Sequence, residues 1–192
     1  MLTGPVQAFD RDQFVDDCLQ AVRLGGDAPT AAREFLQRAI SDPRSIERAV
    51  EQPTISPMMR TWHCTDELTV LHIVWPPHVK LAPHDHDMFA AIGIYGGRED
   101  NSFFRRRVSG EIEPAGGRSL VTGDTAVLGH KAVHAVSNPT QEWTAALHVY
   151  GGNFFTAARS TWDEATLERR KLDPAEIADT LEAAAATARR ID

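Results

Sequence analysis

The chain has 192 residues with a hydrophobic content of 42% and a charged content of 24%, which is ordinary for a soluble globular protein. Its formal net charge of −7 disfavours a nucleic acid as the main partner. The one dense basic cluster, Arg105–Arg107, is interpreted as a solvated strand end, the usual place of arginine. This length predicts a single domain over residues 1–192.

The same composition predicts a cytoplasmic protein. No window approaches the ~18 apolar residues of a membrane span, so no membrane partner is expected. The N-terminal residues show no basic head followed by an apolar stretch, as a signal peptide would. Cys18 and Cys64 are too far apart to form a C-x-x-C motif, which is consistent with reduced thiols in the cytosol.

The first third of the chain has helical periodicity. Apolar residues recur at helical spacing over 10–23, and Gly25-Gly26 ends the pattern. Residues 28–40 predict a second helix with Thr30 as its N-cap, and residues 45–51 predict a short third one. We therefore expect a helical N-terminal segment, which we place at residues 1–55.

From about residue 57 the period changes to short runs of β-branched and aromatic residues, separated by Gly, Pro, Asn and Asp. Eight such runs over residues 56–160 predict an antiparallel sandwich or barrel. The remainder, residues 161–192, has a helical pattern. We predict two helices there, over 163–172 and over 173–192, and the second starts at an Asp-Pro pair. The predicted fold class is mainly β with helices at both ends.

Three histidines form the candidate metal site. His84 and His86 are two residues apart, and in a strand such side chains project from the same face. His134, which lies between Gly123 and Asn138 in a strand-like segment, is the best third ligand. The other histidines considered are interpreted as structural or surface residues: His63, His72, His78 and His130.

The histidine pair resembles the start of a cupin metal site, in which a glutamate usually follows a few residues later. Here Ala90 and Ala91 occupy the positions of that glutamate, so the site has no obvious carboxylate. Three neutral imidazoles leave a bound ion its full positive charge, which suits an anionic ligand such as a thiolate. A three-histidine zinc site would have the same sequence pattern. The histidines alone therefore do not distinguish iron from other metals.

These segments resemble the thiol dioxygenases, the cupins that include cysteine dioxygenase and 3-mercaptopropionate dioxygenase. The resemblance covers residues 57–160 and depends on "HDH", "VHAVSN" and "ALHVYGGNF". It implies a cupin double-stranded β-helix, or jelly-roll barrel, and an Fe(II) cofactor bound by the three histidines. The family's Ser-x-His-x-Tyr relay matches here at His148 and Tyr150, but Ala146 replaces the serine.

The resemblance also implies roles for these residues. Tyr150, positioned by His148, would be the acid–base group that orients oxygen. Arg60 matches the arginine that cysteine dioxygenases use for the substrate carboxylate, and Arg159 resembles the one that mercaptopropionate-type enzymes use. A cysteine that crosslinks to the tyrosine in some members is replaced by Ala91.

We therefore expect an iron(II) dioxygenase that converts a small thiol carboxylate to its sulfinate with O₂. The expected partners are the thiol and O₂, and the sequence leaves a homodimer open. Two alternatives stay open at this point. One is a three-histidine cupin enzyme of other chemistry, such as C–C cleavage or isomerisation. The other is a non-catalytic cupin that binds a small ligand.

Overall fold

In the computed structural model, which describes residues 8–50 and 58–188, the described residues form four helices and eleven strands. The helices are α1 (Arg11–Leu24), α2 (Ala28–Ala39), α3 (Pro43–Ala49) and α4 (Pro174–Ala188). The strands are β1 (Met58–Cys64), β2 (Thr69–Trp75), β3 (Lys80–Asp85), β4 (Ala90–Gly96), β5 (Arg98–Arg106), β6 (Ile112–Val121), β7 (Thr125–Leu128), β8 (Val133–Ser137), β9 (Thr144–Tyr150), β10 (Ser160–Trp162) and β11 (Arg169–Lys171).

The strands form two antiparallel sheets. A five-stranded sheet has the order β1-β2-β9-β4-β7, and a six-stranded sheet has the order β11-β10-β3-β8-β5-β6. Their inner faces enclose the main apolar core, to which β2 contributes Leu71, Ile73 and Trp75. This double-stranded β-helix, with helices at both ends, is the fold class predicted from the sequence.

A second apolar layer separates the five-stranded sheet from the N-terminal helices. Leu36 of α2 and Val70 of β2 lie in it, both fully buried. Every residue of β2 is buried because the barrel core covers one face of the strand and the helices cover the other. At Gly93 of β4 an added Cβ would lie 3.2 Å from Ile40, so a larger residue would push the helical layer away.

The N-terminal helices form where the apolar periodicity predicts them, but two of their starts differ. Asp27, not Thr30, is the N-cap of α2, and its carboxylate accepts a hydrogen bond from the Thr30 amide. Helix α3 begins at Pro43 rather than Ser45, because Asp42 caps it in the same way. The predicted end of this helix at residue 51 lies outside the described residues.

The structure corrects two expectations for the C-terminal region. These are the end of the barrel at residue 160 and a helix over 163–172. Strands β10 and β11 occupy much of this region and extend the six-stranded sheet beside β3. Asp163 accepts hydrogen bonds from the amides of Ala165 and Thr166, which forms a turn and not a helix. Sheet pairing and this side-chain turn thus override the local helical pattern, and the C-terminal helix starts only at Pro174.

Candidate metal centre

The three predicted histidines lie together inside the barrel. His84 on β3 pairs in register with His134 on β8, and His86 follows directly after β3. One nitrogen from each ring lies within 4.8 Å of the others, and His134 Nε2 is 3.5 Å from His86 Nε2. All three side chains are buried.

Hydrogen bonds on the outer side of two of these rings leave their inner nitrogens available. His84 Nδ1 donates to the Ala82 carbonyl at 2.9 Å, and His134 Nδ1 lies 2.7 Å from Asn101 Oδ1. Burial lowers the pKa of His84 to about 4 and lowers the pKa values of His86 and His134 well below their usual value. Neutral imidazoles with free lone pairs are the form that binds a metal ion, so the cluster fits one.

A cavity of about 20 Å³ adjoins the cluster. Its walls include His84 and His86, Tyr150 from β9, Phe154 and Arg159, and Leu181 from α4 closes it from the C-terminal side. This volume is near the minimum that holds one water molecule. A ligand of several heavy atoms therefore requires some of these side chains to move.

Arg159 is the cation of this cavity. It is only 3% exposed, its Nε donates to the Asp85 carbonyl at 3.0 Å, and its guanidinium lies 4.1 Å above the Phe154 ring. Among the described residues neither Nη1 nor Nη2 has a hydrogen-bond partner. Burial lowers the pKa of Arg159 to about 10, which still leaves it charged at neutral pH. Buried donors of this kind are expected to bind an anion.

The Asp85 carboxylate holds the backbone beside Arg159. It accepts a hydrogen bond from the Ser160 amide at 2.7 Å and pairs with Arg106. Arg106 is the exposed last residue of β5, as the sequence predicted, and its guanidinium also lies 5.0 Å from the Trp162 ring. Its neighbours Arg105 and Arg107 match that interpretation as well, since both make exposed ion pairs with Glu113.

Arg60, the other predicted carboxylate ligand, lies elsewhere. It pairs in register with His72, whose side chain stacks on Trp62 on the helix-facing side of the five-stranded sheet. Residues paired in register share a face, so Arg60 is directed away from the histidine cluster. Its neighbour Met59 lines the cavity instead. The structure therefore brings Arg159, and not Arg60, to the site.

Strand β9 presents the predicted relay residues on one face. The Tyr150 ring lies 5.1 Å from the His86 ring, and the Tyr150 hydroxyl is 3.0 Å from His148 Nδ1. Burial raises the pKa of Tyr150 and lowers the pKa of His148 to about 3. On β4 the residue opposite Tyr150 in register is Ala90, whereas Ala91 faces the helical layer. A crosslink from position 91 would therefore not reach the tyrosine.

Two buried polar residues on β5 were missed in the sequence. Glu99 is 1% exposed and Asn101 is 4% exposed, and Asn101 contacts the ring of His134. The sequence did contain a signal for them. Glu99, Asn101 and Phe103 are at alternate positions of one strand and therefore share a face, and Phe103 pairs in register with His134.

No family model matches the chain. None of the described helices is both long and apolar enough to span a membrane. The two facing antiparallel sheets form a double-stranded β-helix, and the three clustered histidines inside it form a site suited to a metal ion.

Several solved structures resemble the chain in fold. A double-stranded β-helix protein from Klebsiella pneumoniae is 16% identical over 62% of this chain and 95% of that one, with a TM-score of 0.46. An RmlC-like cupin from Methanocaldococcus jannaschii is 11% identical over 54% of this chain and 86% of that one, with a TM-score of 0.42. An oxalate oxidase in complex with glycolate is 14% identical over 45% of this chain and 42% of that one, with a TM-score of 0.38. The likeness concerns the fold alone.

Proposed function

We propose that this protein is a non-haem iron(II) dioxygenase that oxidises a small thiol carboxylate, of the cysteine or 3-mercaptopropionate type, to its sulfinate. The observation that carries the proposal is the buried Arg159 guanidinium, whose two terminal nitrogens have no partner among the described residues and which borders the same cavity as the histidine cluster. A carboxylate would accept hydrogen bonds from both nitrogens at once.

The remaining residues have complementary roles in this reaction. Fe(II) bound to the three imidazoles would supply positions for a thiolate sulfur and for dioxygen. Tyr150, which lies against His86 and is hydrogen-bonded to His148, would hold a proton beside the reacting atoms. The reaction joins one thiol and one O₂ into one sulfinic acid, so both oxygen atoms go to sulfur and no other reductant is needed.

Oxygen consumption by the iron-loaded protein tests this proposal. L-cysteine, 3-mercaptopropionate, cysteamine and mercaptosuccinate would be offered in parallel, with His86→Ala as the control that removes one imidazole. We expect consumption with a thiol that carries a carboxylate, little with cysteamine, and none in the variant. Stoichiometric metal binding without consumption for any thiol would refute the proposal and favour a three-histidine enzyme of other chemistry.

One observation favours a second candidate, a cupin that binds a small ligand without catalysis. Phe154 packs on the Tyr150 ring at a centroid distance of 4.5 Å and helps to reduce the cavity to about 20 Å³. Calorimetric titration with 3-mercaptopropionate distinguishes the two functions. Tight binding with no oxygen consumption would support the second candidate.

A further inference from the structure

The relay residues His148 and Tyr150 lack the outer partner that a serine would give, because Ala146 has no polar side-chain atom. A different polar group lies within reach of His148. Its Nε2 is 3.9 Å from Glu99 Oε2, and these two atoms are buried without a hydrogen-bond partner among the described residues. The indole nitrogen of Trp75 is also buried without a partner, and its ring packs edge-on against His148.

These three atoms are complementary in hydrogen bonding. Trp75 can only donate, an ionised Glu99 can only accept, and His148 Nε2 can do either. A closure of about 1 Å would bring His148 Nε2 to hydrogen-bond distance from the carboxylate. The proton of His148 then lies on Nε2, and its Nδ1 is left to accept from the Tyr150 hydroxyl.

The other carboxylate oxygen of Glu99 is linked through Asn101 to His134, one of the candidate metal ligands. Asn101 Nδ2 donates to Glu99 Oε1 at 2.9 Å, so the amide oxygen of Asn101 must face His134. His134 Nδ1 therefore carries the proton and donates to Asn101, which leaves His134 Nε2 free for a metal ion. One carboxylate is thus linked to a candidate metal ligand and directed toward the relay histidine.

We propose that Glu99 is a positioning residue, whose carboxylate sets the proton positions of His134 through Asn101 and of His148 directly. Glu99 would take the part of the serine that is missing at Ala146, as the polar partner of His148. Its carboxylate is also connected to the candidate metal ligand His134 through Asn101. This inference rests on the proposed function only for the roles of His134 and Tyr150, since the proton positions follow from the contacts themselves.

The ionised form of Glu99 is required for this arrangement. Burial raises the pKa of Glu99 to about 7, while the hydrogen bond from Asn101 and the nearby Trp75 indole act in the opposite direction. Measurements at about pH 8 therefore address the carboxylate form.

Glu99→Gln tests the proposal sharply, because an amide has one acceptor end and one donor end. If its oxygen faces Asn101, its NH₂ faces His148 and the proton of His148 must move to Nδ1. If its NH₂ faces Asn101, the Asn101 amide must turn over and the proton of His134 must move to Nε2. In either orientation one of the two histidines changes its tautomer.

The readout is the ¹⁵N spectrum of histidine-labelled, metal-free protein at about pH 8, with His134→Gln and His148→Gln used to assign the signals. In the unmodified chain we expect a proton on Nδ1 of His134 and on Nε2 of His148. In Glu99→Gln we expect one of these tautomers to reverse. Glu113→Gln removes a carboxylate from neighbouring strand β6 in an exposed ion pair and should change neither.

Unchanged tautomers in a folded Glu99→Gln protein would overturn the proposal. The opposite tautomers in the unmodified chain would also overturn it, so the test does not depend on the variant's folding. No metal or thiol is present, so absence of dioxygenase activity would leave this result intact. If the proposed function holds, kcat of Glu99→Gln should also fall by about 10- to 100-fold, and kcat of Glu113→Gln should not.

Discussion

Arg159 is the residue on which the proposed substrate class depends most. Its guanidinium is held from below by the Phe154 ring and from one side by the Asp85 carbonyl, so its two free nitrogens are fixed in direction. A fixed planar pair of donors binds a carboxylate, and it contributes little to the binding of a thiol that lacks one.

We predict that Arg159→Gln weakens binding of 3-mercaptopropionate by about 2–5 kcal/mol, because the carboxylate loses its charged partner in a buried site. The change should appear mainly as a rise in KM for oxygen consumption, and the preference over cysteamine should disappear. Arg60→Gln is the matched control, since Arg60 faces the helical side of the sheet. A raised KM only in Arg60→Gln would show that Arg60, and not Arg159, binds the substrate carboxylate.

Some residues of the candidate site could be predicted from the sequence and others could not. The histidine cluster was predictable because two members are neighbours in one segment and the third lies in a distinctive one. The choice between Arg60 and Arg159 was not, because a shift of one residue in strand register reverses the face of a side chain. Glu99 and Asn101 were missed because their contacts connect β5 to two other strands.

At the scale of elements, helix α4 closes the site. Ile177 and Leu181 on its buried face line the cavity together with His84. The helix therefore limits the size of the ligand, in addition to covering the end of the core.

Leu181→Ala should enlarge the cavity and admit bulkier thiol acids. We expect KM for mercaptosuccinate to fall relative to that for 3-mercaptopropionate, and the free energy of unfolding to fall by about 2–5 kcal/mol. Glu182→Ala, an exposed change on the same helix, should alter stability by no more than about 0.5 kcal/mol. An unchanged ratio of KM values in Leu181→Ala would show that α4 does not limit the ligand.

Most elements were predictable from their periodicity, and the exceptions have physical causes. Strands β4, β7, β8 and β9 follow short β-branched or apolar runs, so local pattern and tertiary pairing agree there, whereas β5 and β6 extend into polar sequence because they pair with each other. Residues 163–172 have a helical composition, but the Asp163 turn and the pairing of β10 with β11 determine their structure. Lys80–Asp85 forms a strand although proline interrupts its apolar pattern.

At the scale of the whole molecule, buried histidines make stability depend on pH. Burial, with a further contribution from Arg60, lowers the pKa of His72 from 6.5 to about 4. A lowered folded-state pKa means that the unfolded chain binds the proton first, so this contribution is present above pH 6.5 and is lost as the pH falls toward 4. Glu99 acts in the opposite direction, since its raised pKa removes stability as the pH rises through about 7.

His72→Gln should therefore flatten the pH dependence of stability. Between about pH 6.5 and 4.5 the free energy of unfolding of the unmodified chain should fall more steeply than that of the variant, by about 1.4 kcal/mol per pH unit. Urea titrations of the metal-free protein measure this difference, with His78→Asn as the control for loss of an exposed histidine. Equal slopes in His72→Gln and the unmodified chain would contradict the expected burial effect.

We propose that the histidine cluster and Arg159 together support addition of dioxygen to a bound thiol. The most direct measurement is mass spectrometry of the product formed by the iron-loaded protein from 3-mercaptopropionate or L-cysteine under isotopically labelled O₂. We expect a sulfinate in which both oxygen atoms on sulfur carry the label. A disulfide, an unchanged thiol, or a sulfinate with one oxygen from water would contradict it.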